Sequence, residues 1–245
     1  MADIEEKKTF EVCFSPVMFP FFKKENAIVV IVDILRATTA MCTAFENGAV
    51  KIIPVAKVED TYQYKASGFK IAGERDGIVI PGADFGNSPF NFTRENVHGQ
   101  SIVITTTNGT QAIEMAKDCQ QVIIGSFLNI DAVFNYLKSQ KKPVTMLCAG
   151  WKNKFNMEDS LLAGALATMF SSIPEYDLKC DSAIASMDLW NLAKDDLVGY
   201  IQKASHRERL RRLGLDDVIE YCFTMNTSRV IPALDHDILI DISKK

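Results

Sequence analysis

Blocks of apolar residues alternate along the chain with blocks of helical periodicity, and this alternation predicts an α/β protein. The runs at residues 27–32, 101–104 and 144–147 are rich in Val, Ile and Leu, as is typical of strands buried on both faces. Each run is followed by a spacing of apolar residues that is typical of a helix. The repeated strand–helix order predicts a largely parallel or mixed sheet with helices on both faces.

Weaker patterns predict the remaining elements. Further strands are expected at residues 10–14, 50–55, 71–72, 121–125 and 238–242. Helices are expected at residues 37–47, 59–67, 111–117, 130–139, 157–170, 187–194, 196–204, 207–213 and 216–223. Prolines or glycines punctuate residues 15–26 and 73–89, which are expected to be loops. Because no linker composition interrupts the chain, we expect a single domain over residues 1–245.

Composition narrows the functional classes. The 245 residues are 47% hydrophobic, and the formal net charge of -4 does not favour a nucleic-acid partner. The six cysteines form no CxxC pair, residues 1–9 lack the apolar core of a signal peptide, and no apolar run approaches the roughly 18 residues that span a bilayer. We therefore expect a soluble cytoplasmic protein without a membrane partner. The sequence leaves the oligomeric state open, with a homodimer as the candidate.

A short polar segment follows each of the three strongest strands. These segments are DILRATT at residues 33–39, TTTNGT at residues 105–110 and CAG at residues 148–150. In open α/β sheets, ligands bind outside the carboxyl ends of the strands, where helix N-termini attract anions. The three turns therefore predict a site for a small phosphorylated ligand.

The first segment places Asp33 directly after a buried strand, where a carboxylate needs a partner or a cation. Two interpretations stay open for Asp33, as an N-cap of the next helix or as a site residue, and one residue can be both. Arg36 can pair with Asp33 or hold a phosphate through its planar guanidinium. Thr38 and Thr39 add hydroxyls at the start of the helix, which are weak signals alone.

The second segment contains Asn108, Gly109 and Thr110, where consecutive N–H groups can form an anion-binding nest. A plain turn at the start of a helix is the alternative interpretation. Asn87 and Ser88, in the GNSP turn, are candidates for a further polar wall of the site.

Four carboxylates form a candidate pool of Mg²⁺ ligands: Asp33, Glu74, Glu158 and Asp159. Magnesium takes oxygen ligands and commonly needs only one or two carboxylates besides water and substrate phosphate. Glu158 and Asp159 open an apolar helix, where acidic residues also complement the helix dipole.

Common phosphoryl-transfer signatures are missing from the sequence. It has no GxxxxGK[ST] loop, Leu35 replaces the second acid of a DxD pair, and Lys154 stands where a cysteine phosphatase needs Arg after Cys148. Cys148 is therefore interpreted as a packed thiol.

The three histidines form no metal motif, and residues 235–237 are interpreted as a polar turn. The basic cluster at residues 206–212 has two interpretations, a solvated helix face or a source of one cation that reaches an anionic substrate group.

Together the motifs DILRATT, AGE, GNSP, TTTNGT, CAG and the ED of the next helix resemble the 2-phosphosulfolactate phosphatase (ComB) family. The resemblance spans residues 29–232, and it implies a three-layer α/β/α fold. It also implies that the site consists of the residues at the matching positions, which are Asp33, Arg36, Thr38, Thr39, Glu74, Asn87, Ser88, Thr107, Asn108, Gly109, Thr110, Gly150, Glu158 and Asp159.

The resemblance further implies Mg²⁺-dependent hydrolysis of (R)-2-phospho-3-sulfolactate to sulfolactate and phosphate, a reaction of the coenzyme M biosynthesis type. As a hypothesis, Asp33 or Asp159 activates water or attacks directly, while Arg36 and the turn at residues 108–110 hold phosphate oxygens. Two other functions stay open: a phosphatase of another 2-hydroxy acid phosphate, and a non-catalytic protein that binds a phosphoester.

Overall fold

The computed structural model describes residues 7–244 and contains one mixed sheet with helices on both faces. The strands of this described part are β1 Lys8–Cys13, β2 Ile28–Val32, β3 Lys51–Pro54, β4 Lys70–Arg75, β5 Ile78–Val79, β6 Ser101–Thr105, β7 Gln121–Gly125, β8 Val144–Cys148, β9 Tyr176–Asp177, β10 Pro232–Asp235 and β11 Ile238–Asp241. The α-helices are α1 Ala37–Glu46, α2 Thr61–Ala66, α3 Arg94–Val97, α4 Gly109–Ala116, α5 Ile130–Gln140, α6 Met157–Phe170, α7 Asp181–Ala193, α8 Leu197–Tyr200, α9 Ser205–Arg212 and α10 Ile219–Cys222.

The strand order is β5-β4-β6-β3-β11-β10-β7-β2-β8-β1-β9, and most neighbours are parallel. The β10–β11 hairpin is antiparallel to β7 and β3 and separates two parallel halves. The predicted α/β class and largely parallel sheet are therefore confirmed, and the sheet is mixed.

Strand β2 shows why the sheet is covered on both faces. Its alternate side chains enter two different cores, because successive side chains of a strand point to opposite faces. Val30 lies in the core that contains α5, α6 and α7, whereas Ile31 lies in the core that contains α1 and α4. This gives the three-layer α/β/α arrangement that the sequence resemblance implied.

The three predicted strand-to-helix turns occur as expected. The turn after β2 leads into α1, the turn after β6 leads into α4, and the longer turn after β8 leads into α6. The turns after β2 and β8 follow neighbouring parallel strands. Strand β6 belongs to the other half of the sheet, which runs in the opposite direction because three antiparallel pairings separate the halves. Contacts between the turns nevertheless bring the turn after β6 to the other two, since Gly109 lies against Asp33 and Asn108 accepts the Lys152 N–H.

Several smaller elements differ from the sequence prediction. Pro16–Phe21 forms a 3-10 helix inside the expected loop, and β5, β9, β10 and α3 lie where no element was predicted. Helix α7 begins six residues before the expected start at residue 187. These elements are short or depend on tertiary pairing, which weakens their local pattern. The expectation for residues 1–9 falls mostly on residues 1–6, outside the described part of the chain.

No helix among the described residues is long and apolar enough to cross a membrane.

The longest helix of the described residues, α6, packs closely against α7. Gly164 permits the close approach of the two helices, because a Cβ atom there would overlap the backbone oxygen of Ser186. The helices could accommodate a larger residue only by moving apart.

We predict that Gly164→Ala lowers the free energy of unfolding by about 2 kcal/mol, although alanine is intrinsically the better helix former by about 1 kcal/mol. Denaturant unfolding measures the difference. Ser171→Thr is the matched control, because it adds a methyl group at an exposed position beside the same helix. Equal stabilities of Gly164→Ala and the wild type would contradict the assigned helix contact.

Candidate active site

A polar cavity opens at the edge of the sheet where the three turns meet. Five of the residues predicted from the sequence line it: Asp33, Arg36, Glu74, Asn87 and Asn108. Trp151 from the turn after β8 and His206 and Arg209 from α9 complete its polar and aromatic walls. The space open to a water-sized group inside these walls is about 20 Å³.

Asp33 follows β2 and is buried, and its backbone is held by the first turn of α1. Thr38 donates its hydroxyl to the Asp33 carbonyl oxygen at 2.9 Å, and the Asp33 N–H donates to that hydroxyl at 3.1 Å. The Ala37 N–H donates to Oδ1 at 3.4 Å, whereas Oδ2 accepts no hydrogen bond from the described residues. Burial raises the pKa of Asp33 to about 6, and the nearby carboxylates of Glu74 and Glu158 act in the same direction.

Gly109 stands at the N-terminus of α4, close to the open side of Asp33. A Cβ atom at Gly109 would lie 2.8 Å from Asp33 Oδ2 and 2.7 Å from Ala37 Cβ. Glycine therefore allows the start of α4 to approach the carboxylate. The N–H groups at the start of a helix have no partner within the helix and can bind an anion. Here the Thr110 N–H donates to the Thr106 hydroxyl, which leaves those of Asn108 and Gly109 for a ligand.

Arg36 is buried and only partly paired. Its Nη2 donates to Asn87 Oδ1 at 2.9 Å, while Nη1 is buried without a hydrogen-bond partner. Burial lowers the pKa of Arg36, and Glu74 and Asp33 oppose that shift. The peptide bond between Leu35 and Arg36 is cis. None of the described residues accepts a hydrogen bond from Arg36 Nη1, so Arg36 offers a cationic donor to a ligand in the cavity.

The predicted threonine hydroxyls mostly serve local structure. Thr39 donates to the Ile34 carbonyl oxygen at 3.0 Å, and Thr110 donates to the Thr106 carbonyl oxygen at 2.9 Å, as Thr38 does in its own turn. None of Thr38, Thr39 and Thr110 lines the cavity. Their contacts hold the turns in shape, and substrate contact by these hydroxyls is not favoured. Ser88 precedes the 3-10 helix Pro89–Asn91 and also lies outside the cavity lining.

Glu74 holds two loops together through both of its oxygens. Oε1 accepts the Thr107 N–H at 2.7 Å, and Oε2 accepts the Gly77 N–H at 2.7 Å and the Thr107 hydroxyl at 3.0 Å. Thr107 is therefore engaged by Glu74 and has no free N–H for a phosphate. The carboxylate of Glu74 lines the cavity but already has three donors.

Asp159 joins the turn after β2 to the turn after β8. Its Oδ1 accepts the Ile34 N–H at 2.9 Å, while Oδ2 accepts the Gly150 N–H at 3.0 Å and the Asn156 side-chain amide at 2.9 Å. Burial raises the pKa of Asp159 well above its usual range, and Asp33 and Glu158 add to the shift. Asp159 does not line the cavity, so these contacts give it a structural role between the turns.

Gly150 must be glycine for this connection to form. Its φ of +60° is in the left-handed region, and a Cβ atom there would overlap the Lys154 carbonyl oxygen. On the neighbouring loop, Asn108 Oδ1 accepts the Lys152 N–H at 3.0 Å. Cys148 is buried and its pKa is raised well above the usual value by burial, as expected for an inert packed thiol.

Helix α9 supplies two functional candidates that the sequence motifs did not assign. His206 Nδ1 contacts Glu158 Oε1, while Glu158 Oε2 is buried without a partner. The guanidinium carbon of Arg209 lies 3.3 Å from the centre of the Trp151 ring. Of the two interpretations of the basic cluster, the solvated face applies to Arg211 and Arg212, which are exposed and pair with Glu208. Arg209 instead lines the cavity.

The four carboxylates differ in their capacity for a metal ion. Across residues 7–244, no three His, Cys, Asp or Glu side chains converge as a protein-only metal centre requires. Magnesium needs only one or two carboxylates when water and phosphate complete its shell. Glu158 Oε2 is buried without a hydrogen-bond partner, and Asp33 Oδ2 accepts no hydrogen bond from the described residues. Glu158 does not itself line the cavity, but it is near enough to raise the pKa of Asp33. An unpaired buried carboxylate oxygen favours a nearby cation. These two residues therefore fit Mg²⁺, whereas the oxygens of Glu74 and Asp159 are already engaged.

Comparison with known proteins identifies the family of this chain. The family model described as 2-phosphosulpholactate phosphatase matches residues 13–237. A protein of Thermotoga maritima named probable 2-phosphosulfolactate phosphatase is 38% identical over 224 residues, which cover 91% of this chain and 96% of the relative. Proteins of the same name from Caldanaerobacter subterraneus and a Synechocystis species are 35% and 34% identical and cover 89% and 83% of this chain and 90% and 87% of their own lengths. The chain therefore belongs to the 2-phosphosulpholactate phosphatase family.

Proposed function

We propose that this protein is a Mg²⁺-dependent phosphatase that hydrolyses (R)-2-phospho-3-sulfolactate to 3-sulfolactate and phosphate. One observation carries the proposal beside the family membership. Asp33, with an open carboxylate oxygen, shares a cavity with Arg36, whose buried Nη1 has no partner among the described residues. A phosphoryl group supplies acceptors for the arginine and an electrophilic phosphorus for chemistry at the carboxylate.

The phosphate is held by donors from two turns. Arg36 is kept in place by Asn87 and directs its remaining N–H groups to the phosphate oxygens. The first N–H groups of α4, at Asn108 and Gly109, provide further donors next to Asp33. This arrangement favours the charge that spreads over the phosphoryl oxygens in the transition state.

Asp33 and Glu158 would hold Mg²⁺ through their open oxygens, and His206 would orient Glu158 through Oε1. When bound, the ion neutralises charge on the phosphoryl oxygens. This assignment uses two of the four predicted ligands and leaves Glu74 and Asp159 to hold the loops.

In hydrolysis, the bond between phosphorus and the ester oxygen breaks while a new bond forms to an oxygen nucleophile. Asp33 either accepts a proton from the attacking water, or it attacks directly to form an acyl phosphate that water then cleaves. In both routes the ester oxygen leaves as the hydroxyl group of 3-sulfolactate, with a proton that derives from water. Of the two residues predicted as base or nucleophile, Asp33 is preferred to Asp159, because Asp159 already accepts three hydrogen bonds.

The reaction is of the coenzyme M biosynthesis type, and that pathway assignment rests on the family resemblance alone. Cytoplasmic location and a homodimeric state also stay predictions. Sedimentation of the purified protein measures the oligomeric state.

The first prediction about activity concerns Asp33. Asp33→Asn should lower kcat for 2-phosphosulfolactate by at least about a thousand-fold, since the amide can neither accept the proton nor attack. Steady-state phosphate release, measured beside phospholactate and phosphoglycolate, tests the rate and the substrate together. Asp195→Asn is the control, because Asp195 is exposed and lies outside the cavity lining. Full activity of Asp33→Asn would refute the assignment.

The second prediction separates metal ligands from loop supports. Glu158→Gln should weaken Mg²⁺ binding by about 10- to 100-fold, as expected for loss of a metal contact. Glu74→Gln should keep the metal affinity near that of the wild type but lower the unfolding temperature, because its amide group would face backbone donors. Calorimetric Mg²⁺ titration and thermal unfolding provide the two readouts. The reverse pattern would place the ion at Glu74.

A further inference from the structure

We propose that Arg209 binds the sulfonate group of the substrate and thereby sets the preference for a sulfonated phosphoester. The inference rests on the proposed function and adds a recognition residue to it. Arg209 comes from α9, more than 170 residues after Arg36 in the chain, yet both line the same cavity.

The first observation is an unsatisfied cation. Arg209 stacks on Trp151, and its Nη2 is buried without a hydrogen-bond partner among the described residues. A buried guanidinium N–H without an acceptor costs free energy in the ligand-free protein. An anionic ligand group at this position would remove that cost.

The neighbouring carboxylates do not satisfy Arg209. Glu158, Asp76 and Glu74 are near enough to oppose the lowering of the Arg209 pKa that burial causes. None of them forms an ion pair with Arg209 within 4 Å in the described part of the chain, and each has other partners. Glu158 contacts His206, Asp76 pairs with Lys152 at 2.7 Å, and Glu74 accepts bonds from its loops. The guanidinium is therefore available to a ligand.

The position of Arg209 favours a group other than the phosphate. Arg36 and the N-terminus of α4 already flank Asp33, where the phosphorus must lie for reaction. Arg209 instead belongs to the wall formed by Trp151 and α9, which also contributes Leu210 and Leu213. Two cationic groups on separate elements of one cavity match a small ligand with an anionic group at each of two positions.

The surroundings of Arg209 suit a sulfonate better than a carboxylate. The guanidinium is weakly hydrated and lies on an aromatic ring next to leucine side chains. A sulfonate spreads its charge over three oxygens and extends one methylene beyond the carbon that carries the phosphate. The carboxylate is attached to that same carbon and therefore stays nearer the phosphate end of the cavity.

The test compares Arg209→Lys with the wild type on two substrates, 2-phosphosulfolactate and phospholactate, which differ by the sulfonate. Lysine keeps the charge but loses the planar, stacked donor pair. We expect the ratio of kcat/KM for the sulfonated substrate to that for phospholactate to fall at least about tenfold, mainly through KM. Arg212→Lys is the matched control on the same helix, since Arg212 is exposed and pairs with Glu208.

A binding measurement removes dependence on turnover. Titration of the protein with 3-sulfolactate, followed by isothermal calorimetry, should show at least about tenfold weaker binding to Arg209→Lys than to the wild type. Lactate, which lacks the sulfonate, should show no comparable difference. Thermal unfolding of each variant confirms that the protein is folded.

The outcomes separate the two proposals. If the wild type hydrolyses neither substrate, the proposed function fails. If the wild type hydrolyses 2-phosphosulfolactate but Arg209→Lys loses activity equally on both substrates, Arg209 does not recognise the sulfonate and the inference is overturned. A selective loss on the sulfonated substrate, with Arg212→Lys like the wild type, supports it.

Discussion

Four carboxylates are buried where the three turns meet, and the structure depends on how each of them is compensated. A buried carboxylate is tolerated only with donors or a cation. Glu74 and Asp159 each accept three hydrogen bonds, which connect the loops around the cavity. Asp33 and Glu158 each keep an open oxygen. The satisfied pair forms the frame, and this frame allows the other pair to remain incompletely satisfied.

The frame also explains why small residues occur in the turns. Asp159 can reach the turn after β8 only because Gly150 adopts a left-handed conformation, and α4 can approach Asp33 only because Gly109 has no side chain. The threonines that begin α1 and α4 bond to carbonyl oxygens in their own turns. Many of the polar residues in the motifs therefore hold the backbone of the turns in shape, and fewer side chains are left to contact a ligand.

The sequence predicts most of the strands, the three turns and the α/β class because their signals are local. It also predicts that Asp33, Arg36, Glu74, Asn87 and Asn108 share a site, on the expectation that the carboxyl ends of parallel strands meet at one edge. In the structure the two halves of the sheet run in opposite directions, and contacts between the turns bring these residues together. Local patterns cannot show which N–H groups satisfy which carboxylate. They also do not show that His206 meets Glu158 across 48 residues, or that Arg209 stacks on Trp151. Those contacts depend on how α9 packs over the sheet, so sequence spacing gave only an unassigned basic cluster.

The cavity combines the carboxylate of Asp33 with two arginines, Arg36 and Arg209. Each arginine has a buried nitrogen without a hydrogen-bond partner among the described residues. Acceptors supplied by the protein for both arginines would stabilise the ligand-free state but would compete with the substrate. A single small anion can compensate only one of the two positions and is repelled by the nearby carboxylates. A ligand with two separated anionic groups compensates both arginines, while a cation shared with Asp33 and Glu158 reduces the repulsion. Selectivity for a multiply charged phosphoester thus follows from the same incomplete compensation that makes the site reactive.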